Sequence, residues 1–326
     1  MAALGEFALI RQYFAAAACA APRPGVALGI GDDCALLHLP PGERLAVSTD
    51  TQVAGVHFPH DPDPFLLAQR SLAAAASDLA AMGAAPLGFT LALTLPAAEP
   101  AWLEAFARGL DVMARACRLS LIGGDTTRGP LNINVTVFGS LPAGQALLRS
   151  GARPGDLLCI GGPTGEAAAA LPLVLGARAA VGAGDAQLLA RYWTPQPQLA
   201  LGQALRGLAS AALDVSDGLL ADCGHIAAAS GVRLVVEAPR LPLSAALRAA
   251  AGDQALTLAL SGGDDYVLAF TLAPHAVSAL QVAGVPFHIV GRVETGSGVA
   301  LHDGAGRDIT PASSGYQHFG GADGQA

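Results

Sequence analysis

The chain contains no lysine: all 18 basic positions are arginine. That absence excludes a P-loop lysine, a protein-kinase strand lysine and a Schiff-base nucleophile. Any phosphate handled here has to be neutralised by arginine, by backbone N–H groups or by metal ions held on carboxylates. Charged residues are scarce altogether, at 13%, and 26 acidic side chains outnumber the arginines to leave a net charge of −8. No segment gathers enough arginine to track a phosphodiester backbone, so no nucleic-acid partner is expected. The five cysteines, Cys19, Cys34, Cys117, Cys159 and Cys223, are scattered and never spaced as C-x-x-C. A disulfide framework and a zinc site are thereby disfavoured, and the thiols read as small buried hydrophobes in a reducing cytosol. No apolar run reaches the roughly 18 residues of a membrane span. Glu6 and Arg11 interrupt the alanine-rich start, which lacks the basic flank of a secretion signal. A soluble, cytoplasmic protein with no membrane partner is expected.

What the chain has in plenty is core material, with 52% hydrophobic residues over a length of 326 that suits two domains. The polar, turn-rich segment Arg149 to Asp156 places the boundary, giving domains over residues 1–149 and 150–326. Phe7, Ile10 and Phe14 mark one face of a short helix. Asp63-Pro64 is an N-cap followed by proline at the first helical position, which predicts a helix over Phe65–Met82 stopped by Gly83. Trp102, Phe106, Leu110 and Met113 recur at helical spacing, whereas Leu131, Ile133, Val135 and Val137 alternate with polar residues as a half-buried strand does.

Carboxylates recur where these elements end. Strands read over Val26–Ile30 and Leu45–Thr49 run into Gly31-Asp32-Asp33 and into Asp50. An apolar run through Leu121 and Ile122 meets Gly123-Gly124-Asp125-Thr126-Thr127-Arg128, read as a tight turn that presents a carboxylate, two hydroxyls and a guanidinium. Gly-Gly-Asp is also a commonplace local turn. Ser77-Asp78 sits in the last turns of its helix, where the dipole disfavours an anion. Leu213-Asp214-Val215-Ser216-Asp217-Gly218 is a strand-to-helix turn in which Asp217 is placed to cap the helix. Ser261-Gly262-Gly263-Asp264-Asp265-Tyr266 is the last acidic turn. Gly161 to Gly165 forms a glycine-rich turn able to cradle phosphate on bare N–H groups, although it matches neither the dinucleotide fingerprint nor the P-loop. His225, among alanines, reads as a core or surface histidine and not as a ligand.

Two carboxylates about 4 Å apart repel by about 4 kcal/mol at an effective dielectric near 20, so converging aspartates must bind cations or stay partly protonated. Aspartate with serine and threonine hydroxyls, without Cys/His pairs, suits Mg²⁺, which takes one or two carboxylates plus substrate phosphates. Several such turns imply several magnesium ions and a highly charged ligand: ATP as co-substrate and a phosphorylated acceptor.

In order and approximate spacing, Gly29-Ile-Gly-Asp-Asp-Cys-Ala35, Ser48-Thr-Asp-Thr51 with Gly55-Val-His-Phe58, Ser77-Asp-Leu-Ala-Ala-Met-Gly-Ala84, Gly123-Gly-Asp-Thr-Thr-Arg128, Arg149-Ser-Gly-Ala-Arg-Pro-Gly-Asp156, Asp214-Val-Ser-Asp-Gly-Leu219 and Ser261-Gly-Gly-Asp-Asp-Tyr266 resemble the thiamine-monophosphate kinase family. The resemblance runs from Gly5-Glu6-Phe7 to Gly315-Tyr316. It implies an α/β, PurM-like two-domain fold with mixed sheets, whose N-terminal domain pairs across a homodimer into a β-barrel and whose C-terminal domain is α/β. It further implies transfer of the ATP γ-phosphoryl group to thiamine monophosphate, with no general base. By position, Asp33, Ser48, Thr49, Asp50, Asp78, Asp125, Asp214 and Asp217 resemble metal ligands, some acting through water or backbone. Arg149 and Ser216, with Asp125, resemble ATP contacts, and His57, Asp264 and Tyr316 resemble acceptor contacts. The chain departs from the family at Asp264, where glutamate is usual, and at Ala75, where asparagine is common. Arg128 is an unassigned anion partner. The alternatives are another ATP-using member of the superfamily with a different acceptor, or a non-catalytic Mg-nucleotide-binding protein.

Overall fold

A computed structural model describes residues 6–311 and divides the chain into two compact units. The first comprises residues 1–146 together with 193–203, and the second residues 147–192 and 204–326.

In the first unit α1 (Glu6–Leu9) continues as a π-helical turn over Ile10–Ala15 and leads to a two-stranded pair, β1 (Val26–Leu28) and β2 (Leu36–Leu37). The main sheet follows from β3 (Glu43–Val53), β4 (Ala85–Leu95), β5 (Ser120–Arg128) and β6 (Asn132–Pro142), in the order β3-β6-β4-β5, with β4 and β5 parallel and the other pairs antiparallel. Two helices of 18 residues, α2 (Pro64–Ala81) and α3 (Pro100–Cys117), pack against each other and bury one face of the sheet. The Asp63 side chain caps α2 by accepting from the Phe65 and Leu66 N–H groups, and Pro64 takes the first helical position. Along β6 the alternation places Ile133, Val135 and Val137 in the core. Phe89 and Phe106 are fully buried there, each worth roughly 1.5–3 kcal/mol of apolar transfer.

Strand β3 sorts its side chains by face. Ser48 and Gln52 hydrogen-bond to groups of α2, so Ser48, Asp50 and Gln52 share the helix-covered side. Leu45, Val47, Thr49 and Thr51 occupy the other face, where Leu45 is 42% and Val47 55% exposed.

The second unit is built on β7 (Leu157–Ile160), β8 (Ala209–Asp214), β9 (Arg233–Glu237), β10 (Leu268–Leu272), β11 (His288–Glu294) and β12 (Gly298–His302), ordered β12-β9-β11-β7-β10-β8. Only β12 and β9 run parallel among these neighbours. Its helices are α4 (Glu166–Val174), α5 (Gly182–Trp193), α7 (Leu219–Ser230), α8 (Ala245–Ala251), α9 (Ala255–Ser261) and α10 (Val277–Val282), while α6 (Leu199–Ala204) lies mostly in the first unit. Leu219, Leu220, Cys223 and Ile226 of α7 join the core formed with Leu158, Leu213, Leu234 and Ala269. Ile160 pairs with Ala269 and Asp214 with Leu268, so the ends of β7 and β8 and the start of β10 lie along one edge. Three loops leave from that edge.

Cys19, Cys117, Cys159 and Cys223 are buried, as their spacing suggested, and burial pushes the Cys117 and Cys159 thiols up to about 12, which keeps them unreactive. Cys34 differs: it is exposed.

Candidate functional site

In the first unit β5 runs unbroken through Gly123-Gly124-Asp125, so the tight turn expected there is absent. Gly124 instead sits inside the strand at a φ of +151°, and a Cβ on it would lie 1.9 Å from the Leu91 carbonyl oxygen. A shift in the β4–β5 register at Phe89/Thr90 accompanies this close approach. The result is that Asp125, opposite Ala92, is presented from mid-strand and exposed. Asp50 is likewise interior to β3 and not at its end.

Asp33 and Asp125 line one cavity of about 980 Å³. Its apolar wall includes Phe7, Ile10, Phe14, Ile30, Leu37 and Phe138, and its polar side adds Asp32, Thr90, the 123–126 segment and Arg11. Sequence reasoning had treated Arg11 only as an interruption of the alanine run. Here it brings a guanidinium to the same space as three carboxylates. The volume falls within the range of small-molecule sites, and the pairing of an apolar wall with a few polar groups is the usual character of one.

Ser48, Asp78 and Asp50 form a separate arrangement. The Ser48 hydroxyl donates to Asp78 Oδ2 at 2.5 Å, and Gln52 Nε2 donates to Asp50 Oδ2 at 3.2 Å while its Oε1 accepts from Ser71 at 3.1 Å. Burial holds the Asp50 carboxyl above the usual carboxylate range, opposed by the Gln52 hydrogen bond and by the nearby His57 and Arg70. Thr49 points to the opposite face, where its hydroxyl meets that of Thr136 at 2.8 Å. His57 Nδ1 accepts the Val53 N–H at 3.1 Å, so the ring proton resides on Nε2. The fully buried Arg70 donates to the His57 carbonyl at 3.4 Å. Among the described residues, no three His, Cys, Asp or Glu side chains converge as a metal site.

In the second unit the three edge loops interlock. The Ser216 carbonyl accepts the Asp264 N–H and the Val215 carbonyl the Tyr266 N–H, both at 2.8 Å. Asp217 does not cap α7 with its side chain. The buried Asp222, from the first turn of α7, instead accepts the Ser216 and Asp217 N–H groups at 3.0 Å each. Burial pushes its carboxyl up to about 6, with the Asp217 charge adding and the two N–H bonds opposing. Asp264 and Tyr266 are non-glycine residues in left-handed backbone, at φ of +69° and +51°, and the Tyr266 hydroxyl donates to Asp264 Oδ1 at 3.0 Å. Asp214 closes β8, and the Arg149 carbonyl accepts from the Ser230 hydroxyl at 3.3 Å. Tyr316 lies outside the described residues.

The glycine turn is not an open phosphate cradle. The Gly165 N–H donates to Asp265 Oδ2 at 2.6 Å, and the Ala167 N–H lies near enough to favour the charged form of the same carboxyl. Burial pushes Asp265 up to about 8 against these bonds and the Arg191 charge. Asp222 and Asp265 were missed as organising groups because their partners are unremarkable backbone amides, in the case of Asp265 100 residues distant.

Residues 31–141 match the family of AIR synthase related protein, N-terminal domain, and residues 153–304 match its C-terminal domain. These matches and the mixed sheets define the class: a two-domain, PurM-like α/β protein related to AIR synthase. Over 323 residues the chain is 46% identical to thiamine-monophosphate kinase of Escherichia coli K12, covering 97% of this chain and 99% of that one. It also resembles the crystal structure of thiamine-monophosphate kinase from Stenotrophomonas maltophilia K279a, at 46% identity and a TM-score of 0.81 over 86% of this chain and 92% of that one. The structure of AaThiL complexed with AMPPCP and TMP is similar at 28% identity and a TM-score of 0.79, over 86% and 89% of the two chains. The chain belongs to the thiamine-monophosphate kinase family.

Proposed function

We propose that this protein transfers the γ-phosphoryl group of ATP to thiamine monophosphate, forming thiamine diphosphate and ADP. The observation that carries the reading, beyond kinship, is the cavity in which Asp33, Asp125 and Arg11 share one space with an apolar wall. A nucleotide needs both surfaces: an apolar one for its base and a charged one for its phosphates. The wall of Phe7, Ile10 and Phe14 serves the first, and Arg11 with the flanking carboxylates serves the second.

No side chain has to act as a general base, because the acceptor oxygen belongs to a phosphate monoester whose second pKa is about 6. The barrier is the meeting of two polyanions, so the protein's task is to neutralise and align them. The donor chemistry, carboxylates and hydroxyls without Cys/His pairs, suits magnesium, and a cation beside the half-buried Asp50 would offset the desolvation that raises its carboxyl. By family position Asp33, Asp125, Ser48, Asp50 and Asp78 would hold such ions in the first unit and Asp214 and Asp217 in the second, with Thr49 limited to its backbone because its side chain faces the other way. When bound, Mg²⁺ supplies charge neutralisation on the phosphate oxygens. By family position His57, Asp264 and Tyr316 are the acceptor contacts and Arg149, Ser216 and Asp125 the ATP contacts; within its own unit the His57 ring offers a donor at Nε2.

A homodimer is supported by the open face of the first sheet, where Leu45 and Val47 stand exposed beside Thr49 and Thr51; pairing of two such faces would close a barrel. A cytoplasmic location is supported by the four buried free thiols, and no helix among the described residues is long and apolar enough to cross a membrane. The test is ADP release from ATP with and without thiamine monophosphate. Release that depends on the acceptor, with thiamine diphosphate formed in equal amount, is expected; release without it, or none with it, would overturn the reading.

A further inference from the structure

We infer that Asp265 is a positioning residue that latches the acceptor-contact turn, Asp264 to Tyr266, onto the start of α4, and that the glycine turn serves as the receiver of this latch and not as a phosphate cradle. The inference rests on the reading of Asp264 as an acceptor contact.

Three observations converge on it. Asp265 stands between two residues in left-handed backbone, a conformation that is unfavourable for non-glycine residues and persists only when its surroundings enforce it. The enforcement is visible: the Asp264 and Tyr266 N–H groups are tied to the Ser216 and Val215 carbonyls after β8, and the carboxyl between them is tied to the Gly165 N–H after β7, on the other side of β10. The turn is thus held from both sides. The receiver is itself fixed against α9. Thr164 donates its hydroxyl to the Ala259 carbonyl at 2.6 Å, and Gly165 adopts a φ of +85° with no room for a Cβ, which would fall 2.5 Å from the Ala259 nitrogen. Glu166, also buried, turns its carboxylate away to Gln187 and Arg191, leaving the first amides of the helix to Asp265.

Helix-start amides need an acceptor from outside the helix, and here the chain supplies its own carboxyl oxygen. Because Asp265 and Asp264 are adjacent, moving one carboxylate off α4 reorients the other. Loss of the latch therefore weakens acceptor binding selectively, and a merely structural group would not discriminate between the two substrates.

The test measures KM for thiamine monophosphate and for ATP separately in the full-length enzyme carrying Asp265→Ala, Asp265→Asn or Asp264→Ala, with amide exchange followed at Gly165 and Ala167. Asp265→Ala is expected to raise the acceptor KM about tenfold or more, to leave the ATP KM within about twofold, and to accelerate exchange at both amides. Asp265→Asn retains an acceptor oxygen and should recover most of the loss; it also carries the measurement should the alanine variant fail to fold. If Asp264→Ala raises the acceptor KM while neither Asp265 variant does, or if both KM values rise together, the latch is overturned and the Asp264 reading survives. An acceptor KM unaffected by Asp264→Ala would instead overturn the Asp264 reading, and the latch as a device of acceptor binding with it.

Discussion

The aspartates of the two units are held in contrasting ways. In the second, the buried ones are engaged with the chain's own backbone: Asp222 holds the 216–217 amides and Asp265 those at the start of α4. In the first, Asp33 and Asp125 are exposed and line an open cavity alongside Arg11. Both kinds lie beside glycines in acidic segments and look alike on paper. The difference is whether the fold itself supplies the donors. A carboxylate whose oxygens are met by backbone amides fixes a loop, whereas one facing a cavity is available to something that enters it. Asp50 stands between these cases, half-buried, bonded to Gln52, and raised in pKa by desolvation.

This contrast is broken most directly by removing one charge at a time. Asp125→Asn and Asp50→Asn should each lower thiamine diphosphate formation by about 10²-fold or more, the scale on which a group that stabilises transferring charge is felt. Thermal denaturation should show either variant folding as the parent does; for Asp50 the amide even relieves the desolvation of a half-buried carboxyl. Turnover near the parental level, or activity lost only in step with folding, would erase the distinction. The next largest effect is on stability. Gly124→Ala places a Cβ against the Leu91 carbonyl in a backbone region closed to L side chains, and should cost about 3 kcal/mol, read as a lowered denaturant midpoint. An unchanged midpoint would mean that β5 can shed the irregularity that presents Asp125.

The contrast also explains what the sequence revealed. Element types were legible wherever side-chain periodicity answers to a single buried face. The alternation of β6 and the Asp63-Pro64 start of α2 are set by local chemistry and appear in the fold within a residue or two. The acidic segments were not legible in this way. Glycine and aspartate signal turns because their local preferences favour them, yet β5 carries Gly123-Gly124-Asp125 as strand, since pairing with β4 outweighs that preference. Asp50 was assigned to a strand end for the same reason and lies inside β3. Likewise, bare N–H groups after β7 suggest a phosphate site, and only the tertiary structure shows that Asp265 takes the Gly165 N–H and the Leu268 carbonyl that of Gly161. The choice of residues for the carboxylate set came from family position, and their local surroundings could not have separated ligands from latches.

The smaller effects sharpen the comparison through pH. Asp265 has a native pKa of about 8 against an ordinary value of 3.8, so between these limits the folded state binds more protons than the unfolded chain. Its contribution to stability is complete at acid pH below the unfolded value and is lost as pH rises through about 8. The groups facing it, Arg191 and the two amides on one side and Asp264 on the other, oppose and reinforce this shift respectively without reversing it. Asp265→Asn removes the titration, so its melting temperature relative to the parent should rise as pH is taken from about 5 to about 8. Asp63→Ala provides the counterpart in the first unit, because that carboxylate only caps α2 at 2.8 and 3.2 Å. It should cost about 1 kcal/mol, as helix N-caps do, with KM values unchanged. Equal pH slopes for Asp265→Asn and the parent would show that Asp265 is solvated and ionised in the native protein, and the buried latch would then have to be abandoned.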